Sequence, residues 1–241
     1  MIDIIIPVLN EAKILTEKKQ YYQSLRKAAH VIFVDGGSSD DTVRAAGTLG
    51  DVISSDPGRG MQKNRGVELA RSNILLFMHV DTAVAAAALE CIKACVDQGV
   101  DAGCLTMKID DPKPIFRIYE RVVNMRAKVF GAFDGDLGMF IRKDIFQELG
   151  GFERLPYMED LVFSKKLNTS HNLAFLDEPI SVSSRKWQEQ GFLKTLINYS
   201  MAYVQLWTGK IGSKNNIYVC QGPSIPKIKN FQDTRNKRQT I

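Results

Sequence analysis

Long apolar runs are missing from this sequence of 241 residues, in which no window of about 18 residues is both apolar and uncharged. We therefore expect no membrane-spanning helix. Residues 1–9 contain no basic segment and have the pattern of a strand, so we expect no signal peptide. The cysteines (Cys91, Cys95, Cys104 and Cys220) form neither a Cys-X-X-Cys pair nor a Cys/His metal pattern. The corresponding predictions are reduced thiols, a cytoplasmic location and no zinc site.

Two glycine-rich phosphate-binding motifs are also missing. No Gly-X-Gly-X-X-Gly follows the first apolar run, and no Gly-X-X-X-X-Gly-Lys-Ser/Thr occurs in the chain. These absences remove the main support for a dinucleotide-binding protein and for a P-loop protein.

Charge is nearly balanced, and acidic residues are scarce only towards the C-terminal end. Lysine and arginine total 32 against 27 aspartates and glutamates, which gives a net charge of +5. Much of the excess lies in residues 209–241, which we predict to be a basic tail, either flexible or closed over a ligand site. So small an excess favours anionic ligands but does not indicate nucleic-acid binding, and we expect no nucleic-acid partner.

Short apolar runs alternate with helical segments in the first hundred residues. Polar or turn-forming residues close each run, and a segment of helical composition follows it, with Ser39 or Asp40 as the expected cap of the second helix. This alternation predicts a parallel α/β sheet, with residues 1–100 as a nucleotide-binding half. The predicted strands cover residues 2–10, 31–34, 51–55 and 73–82.

The pattern is less regular from residue 101 onwards. We predict that residues 101–208 form an acceptor half of the same domain, which ends in a C-terminal helix. Its expected elements are strands over 101–109 and 135–146, a basic helix over 115–129, a turn and helix over 150–167, one or two strands over 173–187, and a helix over 192–207.

The run over residues 74–82 ends with a histidine and an aspartate two positions apart. Because side chains alternate between the two faces of a strand, His79 and Asp81 are expected on the same side of an extended chain. Such a pair is compatible with a metal site, an acid/base pair or a solvated turn.

Polar clusters follow the other strands as well, at residues 10–11, 35–41 and 59–65. Ligands of open parallel sheets bind at the carboxyl ends of the strands, so these clusters and residues 79–82 are expected to line one crevice. Carboxylates, glycine backbone and basic side chains together suit a nucleoside diphosphate, with its base, ribose and two phosphates.

Four segments in this order carry a family resemblance. The stretches "IIIPVLNEA", "VDGGSSDDTV", "ILLFMHVDT" and "GGFERLPYMEDLVFSKKL" resemble the ordered motifs of family 2 glycosyltransferases, which have the GT-A fold. The match runs from about residue 2 to residue 187. "GRGMQKNRG", "HVDT" and "SSRKWQ" are similar to a small soluble bacterial subgroup. The resemblance implies a mixed, mainly parallel sheet flanked by helices and a domain over residues 1–208.

The resemblance also implies roles for residues that match the motifs. The base and ribose would be bordered by Pro7, Asn10 and Glu11, and the base would be bonded by Asp35. Beside the base or diphosphate would lie Arg59, Gln62 and Asn64. Asp136 would lie near the sugar or acceptor, and the diphosphate or acceptor would be close to Arg185 and Trp187.

The implied reaction moves a sugar from a nucleotide-diphosphate donor, UDP-linked by expectation, to an unidentified hydroxyl acceptor with inversion. Asp160 would be the base, with Glu159 able to share the role. Asp81 would coordinate Mg²⁺ or Mn²⁺ as the last residue of a DXD motif. His79 departs from that motif and would ligate the metal, bond the nucleotide, or hold Asp81 in place.

Simpler roles stay open for several of these residues. Asp35 is compatible with a turn and Asp81 with a helix cap. Asp136 suits a turn nearly as well as a ligand contact. Lys63 and Arg65 are expected on the outside of their helix.

An aromatic stripe lies in the last predicted helix. Tyr199, Tyr203 and Trp207 repeat every four residues, which is typical of a core-facing stripe. The alternative is peripheral contact with the inner face of a membrane that carries a lipid-linked acceptor.

Two rival functions remain. A sugar-1-phosphate nucleotidyltransferase would need a glycine-rich loop after the first strand, where this chain has "PVLNEA". A non-catalytic nucleotide-sugar-binding protein would bind UDP without a metal and hydrolyse no donor. The sugar, the acceptor and the oligomeric state are not encoded in a recognisable pattern.

Overall fold

The structure, a computed structural model, describes residues 1–167 and 171–207. The predicted tail over 209–241, with Cys220, lies outside these residues, as do the side chains of Tyr199, Tyr203 and Trp207. The predictions for them therefore stay predictions, as does the division of the domain near residue 100.

Within the described residues, strands and helices alternate along the first part of the chain. The strands are β1 (Ile2–Val8), β2 (His30–Asp35), β3 (Asp51–Ser54), β4 (Ile74–Phe77), β5 (Thr82–Val84), β6 (Ala102–Ile109), β7 (Met139–Arg142) and β8 (Leu173–Val182). The helices are α1 (Ala12–Glu17), α2 (Lys19–Leu25), α3 (Thr42–Gly47), α4 (Arg59–Val67), α5 (Ala86–Asp97), α6 (Pro114–Phe130), α7 (Lys143–Glu148), α8 (Glu159–Leu167), α9 (Arg185–Gln190) and α10 (Phe192–Trp207), with a 3₁₀ turn at Gly135–Leu137.

The strands form one sheet in the order β3-β2-β1-β4-β7-β6-β8-β5. β3, β2, β1 and β4 are all parallel, as are β6 and β8, whereas β7 runs antiparallel to both β4 and β6. The mixed, mainly parallel α/β sheet expected from the sequence is confirmed. Its carboxyl edge in the first half carries the loops that follow β1, β2 and β4.

The apolar runs form strands because both faces of the sheet are covered. Ile4 and Ile6 pack on one face, and Ile5 packs on the other with Val34 and Leu75. Burial of successive residues on opposite faces explains why β1 reads as a continuous apolar run rather than an alternating one.

The predicted strand over 73–82 is wrong in its second half. β4 ends at Phe77, and a turn follows in which the backbone N–H and the hydroxyl of Thr82 donate to the His79 carbonyl, at 3.2 and 2.8 Å. The chain must leave the centre of the sheet here, because β5 pairs with β8 at the far edge. His79 and Asp81 therefore flank a turn rather than share the face of a strand, and the next helix begins at Ala86.

Three other predicted boundaries are corrected. The helix between β1 and β2 is divided at Lys18, whose ammonium group donates to the Thr82 carbonyl at 3.0 Å. The segment over 135–146 forms only the four-residue strand β7, between a 3₁₀ turn and α7. α3 starts after Asp41, one residue beyond the predicted cap Asp40, whose carboxylate accepts from the Thr42 N–H at 3.0 Å.

The late strand also ends earlier than predicted. β8 stops at Val182, where the backbone N–H of Ser184 donates to Asp110 at 2.6 Å, and helix α9 begins at Arg185. Arg185 and Trp187 thus lie on a helix, which presents them in different directions.

Candidate active site

Hydrogen bonds join the loops after β1 and β2 at the carboxyl edge of the sheet. The backbone N–H of Asn10 donates to Ser38 Oγ at 2.9 Å, and Asn10 Oδ1 accepts from the Ser39 N–H at 2.8 Å. The backbone N–H of Glu11 donates to Thr42 Oγ1 at 2.7 Å. Asn10 has a left-handed backbone (φ 54°), which asparagine tolerates better than most residues. These bonds place the predicted residues Asn10 and Glu11 beside the loop that carries Asp35.

The carboxylate of Asp35, at the end of β2, organises that loop. It accepts hydrogen bonds from the Gly37 N–H at 2.9 Å, the Ser38 N–H at 3.1 Å and the Ser38 hydroxyl at 2.5 Å. The side chain therefore fulfils the turn role that the sequence left open. A carboxylate has about four acceptor positions, so a further bond from a nucleotide base is compatible with this geometry. Pro7, in β1, is half-buried opposite Val34.

The two predicted amides on α4 bond to the protein backbone. Gln62 Nε2 donates to the carbonyls of Val8 and Val34, at 2.9 and 2.7 Å, and ties the ends of β1 and β2 together. Asn64 makes a reciprocal pair with the backbone of Phe152, at 2.8 and 2.9 Å. Both side chains therefore support the crevice, and Arg59 lies at the exposed start of the helix.

Lys63 is not on the exterior of α4, as the sequence suggested, whereas Arg65 is exposed as expected. The Lys63 side chain is 0% exposed, and its Nζ contacts Glu159 Oε1 at 2.9 Å and, more closely still, Asp160 Oδ1. It also lies 5.0 Å from the centre of the Phe152 ring. The first turn of α8 buries two adjacent carboxylates, and buried charges need a partner of opposite sign.

Two glycines let α4 approach closely enough for this contact. A Cβ on Gly66 would lie 2.5 Å from a methyl group of Ile5, and one on Gly60 would lie 2.8 Å from the Glu153 carbonyl oxygen. Gly60 and Gly66 lie three positions before and three positions after Lys63, so all three residues lie on the same closely packed side of the helix. That spacing is the sequence signal that could have identified Lys63 as buried.

Asp160 and Glu159 have different electrostatic environments although they are neighbours. Burial and the negative charge of Glu159 raise the pKa of Asp160 to about 6, against the lowering effect of Lys63. Burial would also raise the pKa of Glu159, but the charges of Lys63 and Arg59 overcome it and hold that pKa below its ordinary value. Of the pair, Asp160 is therefore the carboxylate suited to exchange a proton near neutral pH.

His79 and Asp136 form a second pair beside Asp160. His79 Nδ1 lies 2.8 Å from Asp136 Oδ1. A Cβ on Gly135 would lie 2.6 Å from His79 Nε2 and 2.5 Å from Asp160 Oδ2, so both atoms border the space beside that glycine. His79 Nε2 is buried without a hydrogen-bond partner among the described residues. The structure thus brings His79, Asp136 and Asp160 together.

Electrostatics hold Asp136 in its ionised form. Burial would raise its pKa, but the hydrogen bond from His79 and the charges of His79, Lys186 and Arg59 keep it well below the usual range. Two positions earlier, Asp134 forms an ion pair with Arg126 of α6 at 2.5 Å, which anchors the same turn. Sequence reasoning did not identify the Arg126–Asp134 pair, because its partners come from separate elements.

Glu11, Asp81 and Arg185 interact across the other side of the crevice. Arg185 Nη1 lies 3.5 Å from Glu11 Oε2. Burial raises the pKa of Glu11, Arg185 lowers it and the charge of Asp81 raises it again. The three residues, which come from the loops after β1 and β4 and from α9, are thus close enough to influence one another. Trp187 of α9 is instead 5% exposed and packs against Phe116 of α6, with ring centres 5.6 Å apart.

The acidic residues of the crevice offer only a partial cation site. No group of three or more His, Cys, Asp or Glu side chains in residues 1–167 and 171–207 is arranged to hold a metal by itself. Mg²⁺ is commonly bound by one or two carboxylates together with substrate phosphates and water. Asp81, with Glu11 close by, fits such a partial site, which a diphosphate would complete. His79 already uses one ring nitrogen for Asp136.

Comparison with known proteins agrees with this architecture. The sequence model of glycosyl transferase family 2 matches residues 3–150, more than half of the chain. The chain therefore belongs to glycosyl transferase family 2, and its fold is the GT-A fold. No curated protein sequence matches it significantly.

Three solved structures show the same fold at low sequence identity. A mannosyltransferase from Pyrobaculum calidifontis, in complex with GDP-Man and Mn²⁺, has a TM-score of 0.68 at 18% identity, covering 90% of this chain and 65% of that one. Glucosyl-3-phosphoglycerate synthase from Mycobacterium tuberculosis, with Mn²⁺, UDP and phosphoglyceric acid, has a TM-score of 0.57 at 16% identity, covering 84% of this chain and 78% of that one. S. aureus TarS with UDP has a TM-score of 0.60 at 18% identity, covering 76% of this chain and 60% of that one. This chain thus spans about 60% of the TarS chain.

Proposed function

We propose that the protein transfers a hexosyl group from a nucleoside-diphosphate sugar to a hydroxyl acceptor, with inversion at the anomeric carbon. The observation that carries this proposal is the environment of Asp160. Its pKa is raised to about 6, Lys63 contacts Oδ1, and Oδ2 borders the space beside Gly135 and His79. A carboxylate in this state is suited to general-base catalysis.

The proposed reaction is a single displacement. The acceptor oxygen attacks the anomeric carbon, and the bond from that carbon to the diphosphate oxygen breaks. The acceptor proton moves to Asp160, and the nucleoside diphosphate leaves with the bonding electrons. Glu159 is the weaker candidate for the base, because Lys63 and Arg59 hold its pKa low.

Cationic groups would receive the negative charge of the leaving diphosphate. Asp81 would hold Mg²⁺ or Mn²⁺, which when bound offsets the charge on the departing oxygens. Arg59 and Arg185 both lie close enough to Glu11 to lower its pKa. We propose that these two side chains contact the diphosphate.

Uridine is the proposed nucleoside of the donor. Two of the three compared structures contain UDP, whereas the third contains GDP-Man. Pro7, Asn10, Glu11 and Asp35 would form the base and ribose site at the ends of β1 and β2. Gln62 and Asn64 would shape this site through the backbone, and Asp136 would border the sugar or acceptor.

We also propose a reducing, cytoplasmic location. Cys91, Cys95 and Cys104, the cysteines in the described part of the chain, are free thiols. Cys104 is buried, and burial raises its pKa well above the ordinary value, so this thiol is unreactive.

The test is a thermal-shift panel of nucleoside diphosphates and sugar nucleotides, with and without Mn²⁺, followed by donor turnover. Metal-dependent stabilisation by UDP and donor hydrolysis or transfer are expected. UDP binding without metal dependence or turnover would favour a non-catalytic binding protein. Release of pyrophosphate from a sugar 1-phosphate and a nucleoside triphosphate would identify a nucleotidyltransferase. A product of retained configuration would exclude the single displacement.

A further inference from the structure

Helix α6 exposes an apolar face. Ile118, Val122, Met125 and Val129 are spaced three or four residues apart, so they lie along one side of the helix. Each is more than half exposed, from 55% for Val122 to 64% for Val129. We call these four residues the α6 stripe.

The α6 stripe is not the face by which the helix packs on the sheet. Phe116, Val123 and Ala127 are buried in the core, and Glu120 accepts a 2.5 Å hydrogen bond from the Ile109 N–H. A surface helix normally carries polar residues opposite its buried face. α6 instead carries a second apolar face, and contiguous exposed apolar surface commonly marks an interaction site.

The start of helix α10 lies beside α6. Its first residue, Phe192, packs against Phe116 with ring centres 5.7 Å apart, which places the start of α10 beside α6. Ile197 and Met201, further along α10, are 51% and 41% exposed.

The exposed charges of helix α6 itself are positive. Arg121 and Lys128 are exposed, whereas Glu120, the acidic residue of α6, is buried against the core. Lys113, just before the helix, forms an ion pair with Asp111 at 3.2 Å. Lys194 is the charged residue of α10. An apolar stripe bordered by cations is complementary to an anionic lipid surface, where apolar side chains enter the acyl boundary and cations meet the headgroups.

We propose that α6 and the adjoining part of α10 dock on the surface of an anionic bilayer. The helices would lie in the interface, because no helix in the described residues is long and apolar enough to cross a membrane. A second copy of the chain would bring two basic surfaces together. Residues 208–241 are also basic, with Asp233 as their one acidic residue, so charge disfavours them as a cover.

The position of the surface relates it to the active site. α6 ends at Phe130, and the turn that carries Asp134, Gly135 and Asp136 follows directly, held to the helix by the Arg126–Asp134 pair. Membrane docking is independent of the proposed transfer. If both the docking and the transfer proposals hold, the crevice would open close to acceptors that reside in the membrane.

Vesicle sedimentation of the full chain tests the inference. The protein is mixed with vesicles of phosphatidylcholine, with or without phosphatidylglycerol, at low and high salt. Binding to the anionic vesicles that weakens with salt is expected. The double variant Ile118→Asp/Met125→Asp should weaken it by about tenfold or more. Arg121→Glu/Lys128→Glu should remove the preference for anionic lipid.

Val43→Asp is the matched control, because Val43 is a 44% exposed apolar residue on α3, outside the surface. It should bind vesicles as the parent does. The inference is overturned if the parent chain does not sediment with anionic vesicles, or if the double variant binds as well as the control. It is also overturned if the double variant only abolishes a dimer seen by ultracentrifugation. UDP binding, measured on the same samples, reports on the transferase proposal separately.

Discussion

Lys63 and Asp160 are in contact across the boundary between α4 and α8, and the lysine side chain is completely buried. The contact joins a helix from the nucleotide-side loops to the helix that carries the proposed base. Because Lys63 also forms an ion pair with Glu159, one ammonium group contacts two adjacent carboxylates. Removal of the cation would take away the hydrogen-bonded partner of both buried carboxylates.

We expect Lys63→Met to lower the free energy of unfolding by about 3–5 kcal/mol, the usual effect of breaking a buried ion pair. Lys63→Arg should retain more stability, since it keeps the charge. Lys13→Met is the control, because Lys13 is 89% exposed, and its effect should stay within about 0.5 kcal/mol. Urea titration measures all three variants. Equal stability of Lys63→Met and Lys13→Met would show that the carboxylates do not depend on the lysine.

Asp160→Asn should lower kcat by about 10²- to 10⁴-fold, the range typical of a lost general base. UDP binding should be nearly unchanged, because the substitution preserves the shape of the side chain. Asp97→Asn, at an exposed position at the end of α5, should keep full activity. Steady-state kinetics and calorimetric UDP titration distinguish the two effects. Full activity of Asp160→Asn would exclude this residue as the base.

The proposed base also predicts the pH dependence of turnover. Burial first, and the charge of Glu159 second, raise the pKa of Asp160 to about 6. The rate should therefore fall by about tenfold per pH unit below that value and level off above it. Initial rates at saturating donor, with UDP affinity measured at each pH, provide the profile. A profile that is flat through pH 6 would contradict the assignment.

The raised pKa of Asp160 also makes the stability of the fold depend on pH. Because folding raises the pKa of Asp160 above 3.8, the folded state binds this proton more tightly. Its contribution to stability therefore decreases as pH rises from 3.8 to about 6. In Asp160→Asn, this part of the pH dependence of unfolding should disappear.

Gly135→Ala should impair turnover, because the new methyl group would meet Asp160 Oδ2 and His79 Nε2 at 2.5 and 2.6 Å. Gly47→Ala is a suitable control. A Cβ at Gly47, at the end of α3, meets nothing within 4 Å, and alanine should stabilise the helix by up to about 1 kcal/mol. Thermal unfolding and kinetics of both variants provide the comparison. Unimpaired turnover in Gly135→Ala would mean that the space beside this glycine is not used.

Asp81→Asn should abolish the part of UDP-induced thermal stabilisation that requires Mn²⁺. An amide is a weaker ligand for a hard cation than a carboxylate, so the metal-independent part should remain. Asp56→Asn, which alters a 72% exposed side chain, should retain both parts. Retained Mn²⁺ dependence in Asp81→Asn would remove Asp81 as the ligand. The same measurement on His79→Asp, which restores the usual acidic motif, shows whether position 79 contributes to metal affinity.

Much of the sheet could be predicted because buried parallel strands appear in the sequence as uninterrupted apolar runs. β1, β2 and β4 follow this rule, and their carboxyl ends converge as the topology of parallel strands requires. For this reason the sequence already placed Asn10, Asp35 and His79 at one edge. The edge strand β5 was missed because it has only three residues, and β7 was predicted as part of a longer strand over 135–146, without its antiparallel direction.

The chemistry of individual side chains was less predictable than their positions. Gln62 and Lys63 are neighbours in a polar helical segment, yet one bonds strand carbonyls and the other neutralises buried acids. Local sequence contains no information about Glu159, which lies almost a hundred residues away. His79 could be identified as important but its partner could not, because Asp136 reaches it from a separate turn.

The segment Gln62-Lys63-Asn64 of α4 also limits how the gene for this protein can change. Consecutive helical residues point about 100° apart, and here each is held by a different neighbour: the strand ends, the first turn of α8 and the backbone of Phe152. Insertion or deletion of one codon between Gly60 and Gly66 would rotate all these contacts out of register at once. Single replacements at the outward position Arg65 would leave them intact. Length variation among related sequences should therefore be absent from this helix and concentrated in the loops.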